Sequence, residues 1–232
     1  EAQDTLRVLF LGNSYTNNIP NIVQDIADSQ GKIMEHDRHT LGGYTLQEHS
    51  IDATGLAKIA EGNWDFVVIQ EQSQLPSFPP NQVSSQVYPY AASLANSIRA
   101  ANPCTQPIFY MTWGRGNGDA SNCEFYEPLC TYEGMQQRLT ESYNEMAIDN
   151  EALVAPVGEA WRRVRAANSE FSLYTGDGSH PNANGAYLAS CVFYSMFYQE
   201  SMEGDYFVTQ AVTDEDAEML RAMADETVFD EN

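Results

Sequence analysis

Ser14 stands in Leu11-Gly12-Asn13-Ser14-Tyr15-Thr16, directly after an apolar run, and Asp177-Gly178-Ser179-His180-Pro181-Asn182 lies far downstream. A serine hydroxyl is a weak nucleophile until a base accepts its proton, and an imidazole does this best when a carboxylate fixes its tautomer. Ser14, His180 and Asp177 supply those three parts. His36, His39 and His49 are the competing bases, yet none follows an aspartate at a three-residue spacing. His36 and His39 fall in a predicted strand and read as surface or pairing residues; His49 lies on a helical segment with no partner motif. A metal site at Asp177 and His180 would lack a third ligand cluster, so neither metal nor cofactor is expected.

The elements that must position these residues alternate between strand and helix. Leu6-Arg7-Val8-Leu9-Phe10-Leu11 reads as a buried strand ended by Gly12. Ile19, Ile22, Val23, Ile26 and Ala27 recur at helical spacing, with Pro20 suited to a first turn, and predict a helix to about Gly31. A second strand is expected near Ile33 to Leu41, leading to Gly42-Gly43-Tyr44 and a helical segment from Leu46 to Ala60. Trp64 to Ile69 is a clear third strand that ends in Gln70-Glu71-Gln72-Ser73-Gln74. A helix carrying Val83, Val87, Ala91, Leu94 and Ile98 precedes a strand from Pro107 to Thr112, which exits through Trp113-Gly114-Arg115-Gly116. Met135, Leu139, Tyr143 and Met146 mark another helix, and Ala152 to Val157 a fifth strand. Ala183 to Tyr198 is apolar around most of its circumference and predicts a buried helix. Thr213, three residues before Asp216, starts a last amphipathic helix.

Such alternation implies an α/β fold, a mostly parallel sheet covered on both faces and joined by right-handed crossovers. In these sheets the ligand site forms beyond the carboxyl ends of the strands, where Ser14, Gly43, Gln72, Gln74 and Trp113 would all emerge. No linker divides the chain, and residues 1–232 are read as one domain.

Taken together, these blocks resemble the SGNH, or GDSL-like, hydrolase superfamily, in family order across roughly residues 6–195. Gly12-Asn13-Ser14 resembles the nucleophile block with Asn in place of the usual Asp, Gly43 the block-two glycine, and Asp177-x-x-His180 the final block. The resemblance implies Ser14 as nucleophile, His180 as base, Asp177 as its orienting partner, and a flavodoxin-like three-layer α/β/α sandwich of about five strands. The family places an asparagine after the third strand as an oxyanion-hole donor; this chain has glutamines. Ungapped comparison falls on Gln74, while Gln72 is nearer the strand end, and its longer side chain could reach the same point. The oxyanion hole is therefore expected from the Ser14 and Gly43 backbone N–H groups with one of Gln72 and Gln74.

Trp113 suits stacking on a sugar ring, and Arg115 suits a carboxylate or sulfate, each against the alternative of a core plug or a surface ion pair. Tyr15, beside the nucleophile, has the same double reading.

The formal charge is −22, from 33 acidic residues against 11 basic ones, with Lys32 and Lys58 the only lysines. This balance speaks against nucleic acid and anionic membranes as partners and fits a solvated acidic surface or a saline habitat. No apolar run has membrane-spanning length, so no membrane insertion is expected. Cys123 and Cys130 bracket a short segment in a Gly-, Asn- and Asp-rich stretch and are expected to form a disulfide, which favours an oxidising compartment. Cys104 and Cys191 read as buried free thiols. A secreted or periplasmic protein is expected, with any targeting segment removed ahead of Glu1.

The sequence thus predicts a serine esterase that removes small acyl groups, acetyl above all, from a carbohydrate or other small ester. The alternatives are a lipase or lysophospholipase, and a non-catalytic carbohydrate-binding protein on the same scaffold.

Overall fold

The computed structural model describes residues 5–230. Five parallel strands form one sheet in the order β2-β1-β3-β4-β5: β1 (Leu6–Gly12), β2 (Met34–Thr40), β3 (Phe66–Ile69), β4 (Gln106–Tyr110) and β5 (Leu153–Ala155). The chain runs from β1 to one neighbour, then crosses back to build the other side. The strand order therefore reverses between β1 and β3, the switch point at which open α/β sheets leave a crevice at their carboxyl ends.

The strands are apolar on both faces because helices cover both. Val8 and Phe10 of β1, Val68 of β3 and Ile108 and Tyr110 of β4 join one core, with α1 (Ile19–Ser29), α7 (Val157–Ala167), α8 (Ala183–Tyr198) and α9 (Asp214–Phe229). Leu9, Leu11, Val67, Ile69 and Phe109 face the opposite way. They meet α2 (Leu46–His49), α3 (Ala53–Ala60), α4 (Pro80–Gln86), α5 (Tyr88–Ala101) and α6 (Tyr132–Asp149) in a second core. This is the period-2 alternation of a strand buried on both sides. The expected α/β/α sandwich is the observed fold.

Two helical segments that read as continuous are broken. Asp52 accepts the Gly55 N–H and caps a new helix, which separates α2 from α3. Pro89, which has no N–H to give the preceding turn, separates α4 from α5. Helix α7 lies in a stretch to which no element was assigned, although Val157, Ala160, Trp161 and Val164 carry helical spacing and are all buried. Helix α8 is buried nearly all round because α1, α7 and α9 pack against it. Thr213 accepts the Asp216 N–H and caps α9.

Cys123 and Cys130 are joined by a disulfide. Cys191 is buried in α8, whereas Cys104 is exposed, in the turn closed by Thr105 N–H donating to Asn102 O ahead of β4. The expectation that both were buried fails for Cys104 because it precedes the strand instead of lying in it. Among the described residues, no helix is long and apolar enough to cross a membrane.

The loop that carries His180 is fixed at the start of α8. Asn182 caps the helix through the Gly185 N–H and donates to Ser172 O, while Thr175 N–H donates to His180 O. Gly185 permits this closeness: a Cβ there would lie 2.4 Å from Leu173 O and 2.4 Å from the buried Trp161 ring. Gly185→Ala is expected to destabilise the protein by about 1–3 kcal/mol, because backbone and a packed indole must both shift. Urea denaturation of the two proteins measures it, and an unchanged midpoint would contradict this packing account.

Candidate active site

Ser14 follows β1 in a loop shaped by a buried amide. Gln70, at the end of β3, accepts the Asn13 N–H at 3.0 Å and the Thr16 hydroxyl at 2.8 Å through a single Oε1. A Cβ on Gly12 would lie 2.7 Å from that oxygen, so glycine is required for the approach. Asn13 then ties this loop to the one after β2: its Nδ2 donates to Tyr44 O at 3.0 Å, and its Oδ1 accepts the Tyr15 N–H.

Ser14 Oγ lies 2.9 Å from His180 Nε2, across 166 residues of chain. His180 Nδ1 lies 2.6 Å from Asp177 Oδ2. The other carboxylate oxygen of Asp177 accepts the Thr175 hydroxyl and the N–H groups of Ser179 and His180, at 2.8 to 2.9 Å. These bonds, with His180 first, hold the Asp177 carboxyl far below the usual carboxylate range, so it stays ionised and keeps the imidazole N–H on Nδ1. With that proton on Nδ1, Nε2 is the acceptor facing the Ser14 hydroxyl. The three residues expected to act together are brought together.

Gly43 occupies a turn closed by Tyr44 N–H donating to Leu41 O, and its φ of 73° explains the residue choice. Tyr44 is braced from below, its hydroxyl on Asp52 and Asp52 on His39 at 2.9 Å. His49 is buried, with Nε2 3.0 Å from Gly12 O; burial pushes its basicity down. His39 and His49 therefore support the loops, and His36 packs edge-on to Phe10. None of the three lines the cleft with Ser14.

That cleft has a volume of about 210 Å³ and is lined by Ser14, Tyr15, Gly43, Gln72, Arg115 and His180, with Asn13, Ser73 and Ser179. Among the described residues, the Ser14 and Gly43 backbone N–H groups have no protein acceptor and are available to a ligand oxygen. Gln72 reaches the cleft and Gln74 does not. Gln74 Nε2 is committed to Asp119 at 2.7 Å, and its Oε1 accepts from Gln72 Nε2 at 3.1 Å, which leaves Gln72 one free amide N–H. Of the two glutamines expected as candidates, the one nearer the strand end is the one that reaches the cleft, for a simple reason. The longer glutamine side chain reaches from nearer the strand end, and the later residue packs behind it.

Trp113 also differs from its expected role. It is fully buried, sandwiched between Tyr15 at 4.8 Å and Trp161 at 3.9 Å, and its Nε1 donates to Ser179 O. It cannot stack on a ligand; it stiffens the wall behind His180, covered by Trp161 of the unanticipated α7. Tyr15 lines the cleft with its hydroxyl on the Ser179 hydroxyl.

Glu71 was not singled out by the sequence. It is fully buried, and its Oε1 accepts both the Leu46 N–H at 3.0 Å and the Gln72 N–H at 2.6 Å, so one atom joins the loops after β2 and β3. The signal lay in the run Gln70 to Gln74, polar directly after a buried strand. Among the described residues, no group of three or more His, Cys, Asp or Glu is placed to hold a metal ion.

No protein-family model and no curated protein matches the sequence. Solved structures do. A DUF4886 family protein from Bacteroides uniformis superposes with a TM-score of 0.81 at 17% identity, covering 97% of this chain and 96% of that one. A Parabacteroides merdae protein described as a GDSL-like lipase gives 0.61 at 12% identity, over 86% and 98% of the two chains. An acetyl xylan esterase from Geobacillus stearothermophilus gives 0.57 at 15% identity, over 86% and 97%. The fold is that of the SGNH, or GDSL-like, hydrolases.

Burial pushes the Glu71 carboxyl up to about 8. The folded chain therefore keeps a proton that the unfolded chain releases near 4.5, and stability falls as pH rises between those values. The expected contribution to the slope is up to about 1.4 kcal/mol per pH unit. Glu71→Gln, which mimics the protonated group, is expected to flatten it. Urea unfolding at several pH values from 5 to 8 compares the two proteins; parallel profiles would show that Glu71 does not titrate in this window.

Proposed function

We propose that the protein is a serine esterase that hydrolyses short acyl esters, acetyl above all, on a carbohydrate. The observation that carries this reading is the continuous hydrogen-bonded line from Ser14 Oγ through His180 to Asp177, opening on a cleft with two unengaged backbone N–H groups. In the reaction, Ser14 Oγ attacks the ester carbonyl as its proton passes to His180 Nε2. The Ser14 and Gly43 N–H groups and the free Gln72 amide N–H stabilise the tetrahedral oxyanion. The imidazolium then protonates the departing sugar alkoxide, leaving an acyl group on Ser14. Water attacks that acyl-enzyme and gives its proton to His180; the imidazolium then protonates Ser14 Oγ as its bond to the acyl carbon breaks, releasing the acid and regenerating the serine.

A short acyl chain is supported by the small size of the cleft, which among the described residues is lined by polar side chains with Tyr15 and Gly43 and has no continuous apolar groove of the kind a long acyl chain needs. The acetyl xylan esterase among the structural neighbours fits the same substrate class at the level of fold. The disulfide on the loop beside Arg115 supports action outside the reducing cytoplasm, in a secreted or periplasmic setting.

Ser14→Ala is expected to cut kcat on p-nitrophenyl acetate by about 10⁵–10⁶ and to abolish labelling by a phosphonate probe. Retention of near-native turnover would remove Ser14 from the chemistry. Gln72→Ala is expected to lower kcat by about 10²–10³ with little change in KM, because the oxyanion charge develops only in the transition state. Gln74→Ala, which acts only through its bonds to Gln72 and Asp119, is expected to lose less. Steady-state kinetics of both variants test the assignment, and the reverse order would return the donor role to Gln74.

A further inference from the structure

Among the described residues that line the cleft, Arg115 is the only one with a permanent charge. Its side chain is a quarter exposed and is held lightly. Nη1 donates to Asp119 Oδ1 at 3.2 Å, Nη2 reaches Ser73 Oγ only at 3.5 Å, and Nε has no protein acceptor. Of the five N–H donors in this rigid fork, Nε is buried, and one N–H on each terminal nitrogen is left without a protein partner and open to a ligand.

Asp119 does not need Arg115 to be satisfied. It is fully buried and accepts from Gln74 Nε2 and Asn122 Nδ2, each at 2.7 Å, and from the Ser121 N–H at 3.2 Å. Its charge is shared among these donors, and it meets the guanidinium through one nitrogen instead of the two-pronged geometry of a full pair. It serves as a strut: Asp119 N–H donates to Leu129 O, which fixes Arg115 to the loop closed by Cys123 and Cys130. A partly buried cation costs desolvation, and a two-pronged pair with an anion offsets that cost more fully than a hydrogen bond to a neutral sugar hydroxyl does. The chain's overall negative charge repels anions at long range. That field is screened beyond roughly 8–10 Å, so the near charges decide, and of these the Arg115 guanidinium lines the cleft whereas the Asp177 carboxylate lies behind the His180 ring.

We infer that Arg115 forms an anion subsite beside the scissile ester, so that the alcohol portion of the substrate is an acylated sugar bearing a carboxylate or a sulfate. This rests on the esterase reading above and specifies its substrate class.

The test uses p-nitrophenyl acetate as a neutral reporter and three glycosides that differ only at C6 as inhibitors: methyl glucoside, methyl glucuronoside and methyl glucoside 6-sulfate. The two anionic glycosides are expected to inhibit about 10- to 100-fold more tightly than the neutral one, and their ranking distinguishes carboxylate from sulfate. In Arg115→Gln the ratio of neutral to anionic inhibition constants is expected to fall to near one. Arg115→Lys, a point charge without the fork, should keep part of it. If the reporter is hydrolysed but all three glycosides behave alike, or if the preference persists in Arg115→Gln, the anion subsite is wrong and the esterase reading stands. If the reporter is not hydrolysed and no phosphonate labels Ser14, the esterase reading falls and the subsite's catalytic purpose with it.

Discussion

Two adjacent buried side chains at the end of β3 hold the whole site in register. Gln70 fastens the loop after β1, through the Asn13 N–H and the Thr16 hydroxyl. Glu71 fastens the loop after β2, through the Leu46 N–H, and shapes its own loop through the Gln72 N–H. Burying such groups is costly unless they are bonded, so the three loops are bound to one arrangement by the penalty for leaving it. The reversal of strand order between β1 and β3 makes this possible, because it puts the loop after β3 beside the loop after β1.

A second constraint fixes His180. Tyr15, Trp113 and Trp161 lie in a parallel stack running from the cleft into the core, with interplanar angles of 1° and 5°. The Tyr15 hydroxyl and the Trp113 indole both bond Ser179, the residue before His180. The imidazole is thus carried by a loop whose backbone is pinned to the same aromatic column that backs Ser14. Asp177, half exposed at the rim, adds the charge that sets the tautomer.

On the other side of the cleft the walls are polar and come from loops, which suits recognition more than bulk burial. Gln72, Gln74, Asp119 and Arg115 form one chain of contacts reaching the disulfide-closed loop. Gln72 and Arg115, which among the described residues is the one permanent charge lining the cleft, therefore share a support, and a change in that loop would be felt at both.

The local signals were legible in the sequence because they depend on neighbours along the chain. The alternating faces of β1, β3 and β4, the positive φ at Gly43 and the three-residue spacing of Asp177 and His180 are written in residue type and period. The spacing of α7 was equally written, though unassigned. Only the tertiary structure decided that Trp113 is covered by Trp161, that Gln72 rather than Gln74 reaches the cleft, and that Glu71 bridges to Leu46. Each of these turns on what packs behind a side chain and how far it extends, a relation between distant segments that no local pattern encodes. Arg115 shows both sides: its place at a strand exit was readable, whereas its lightly held fork depends on how Asp119 is shared with residues brought in from other loops.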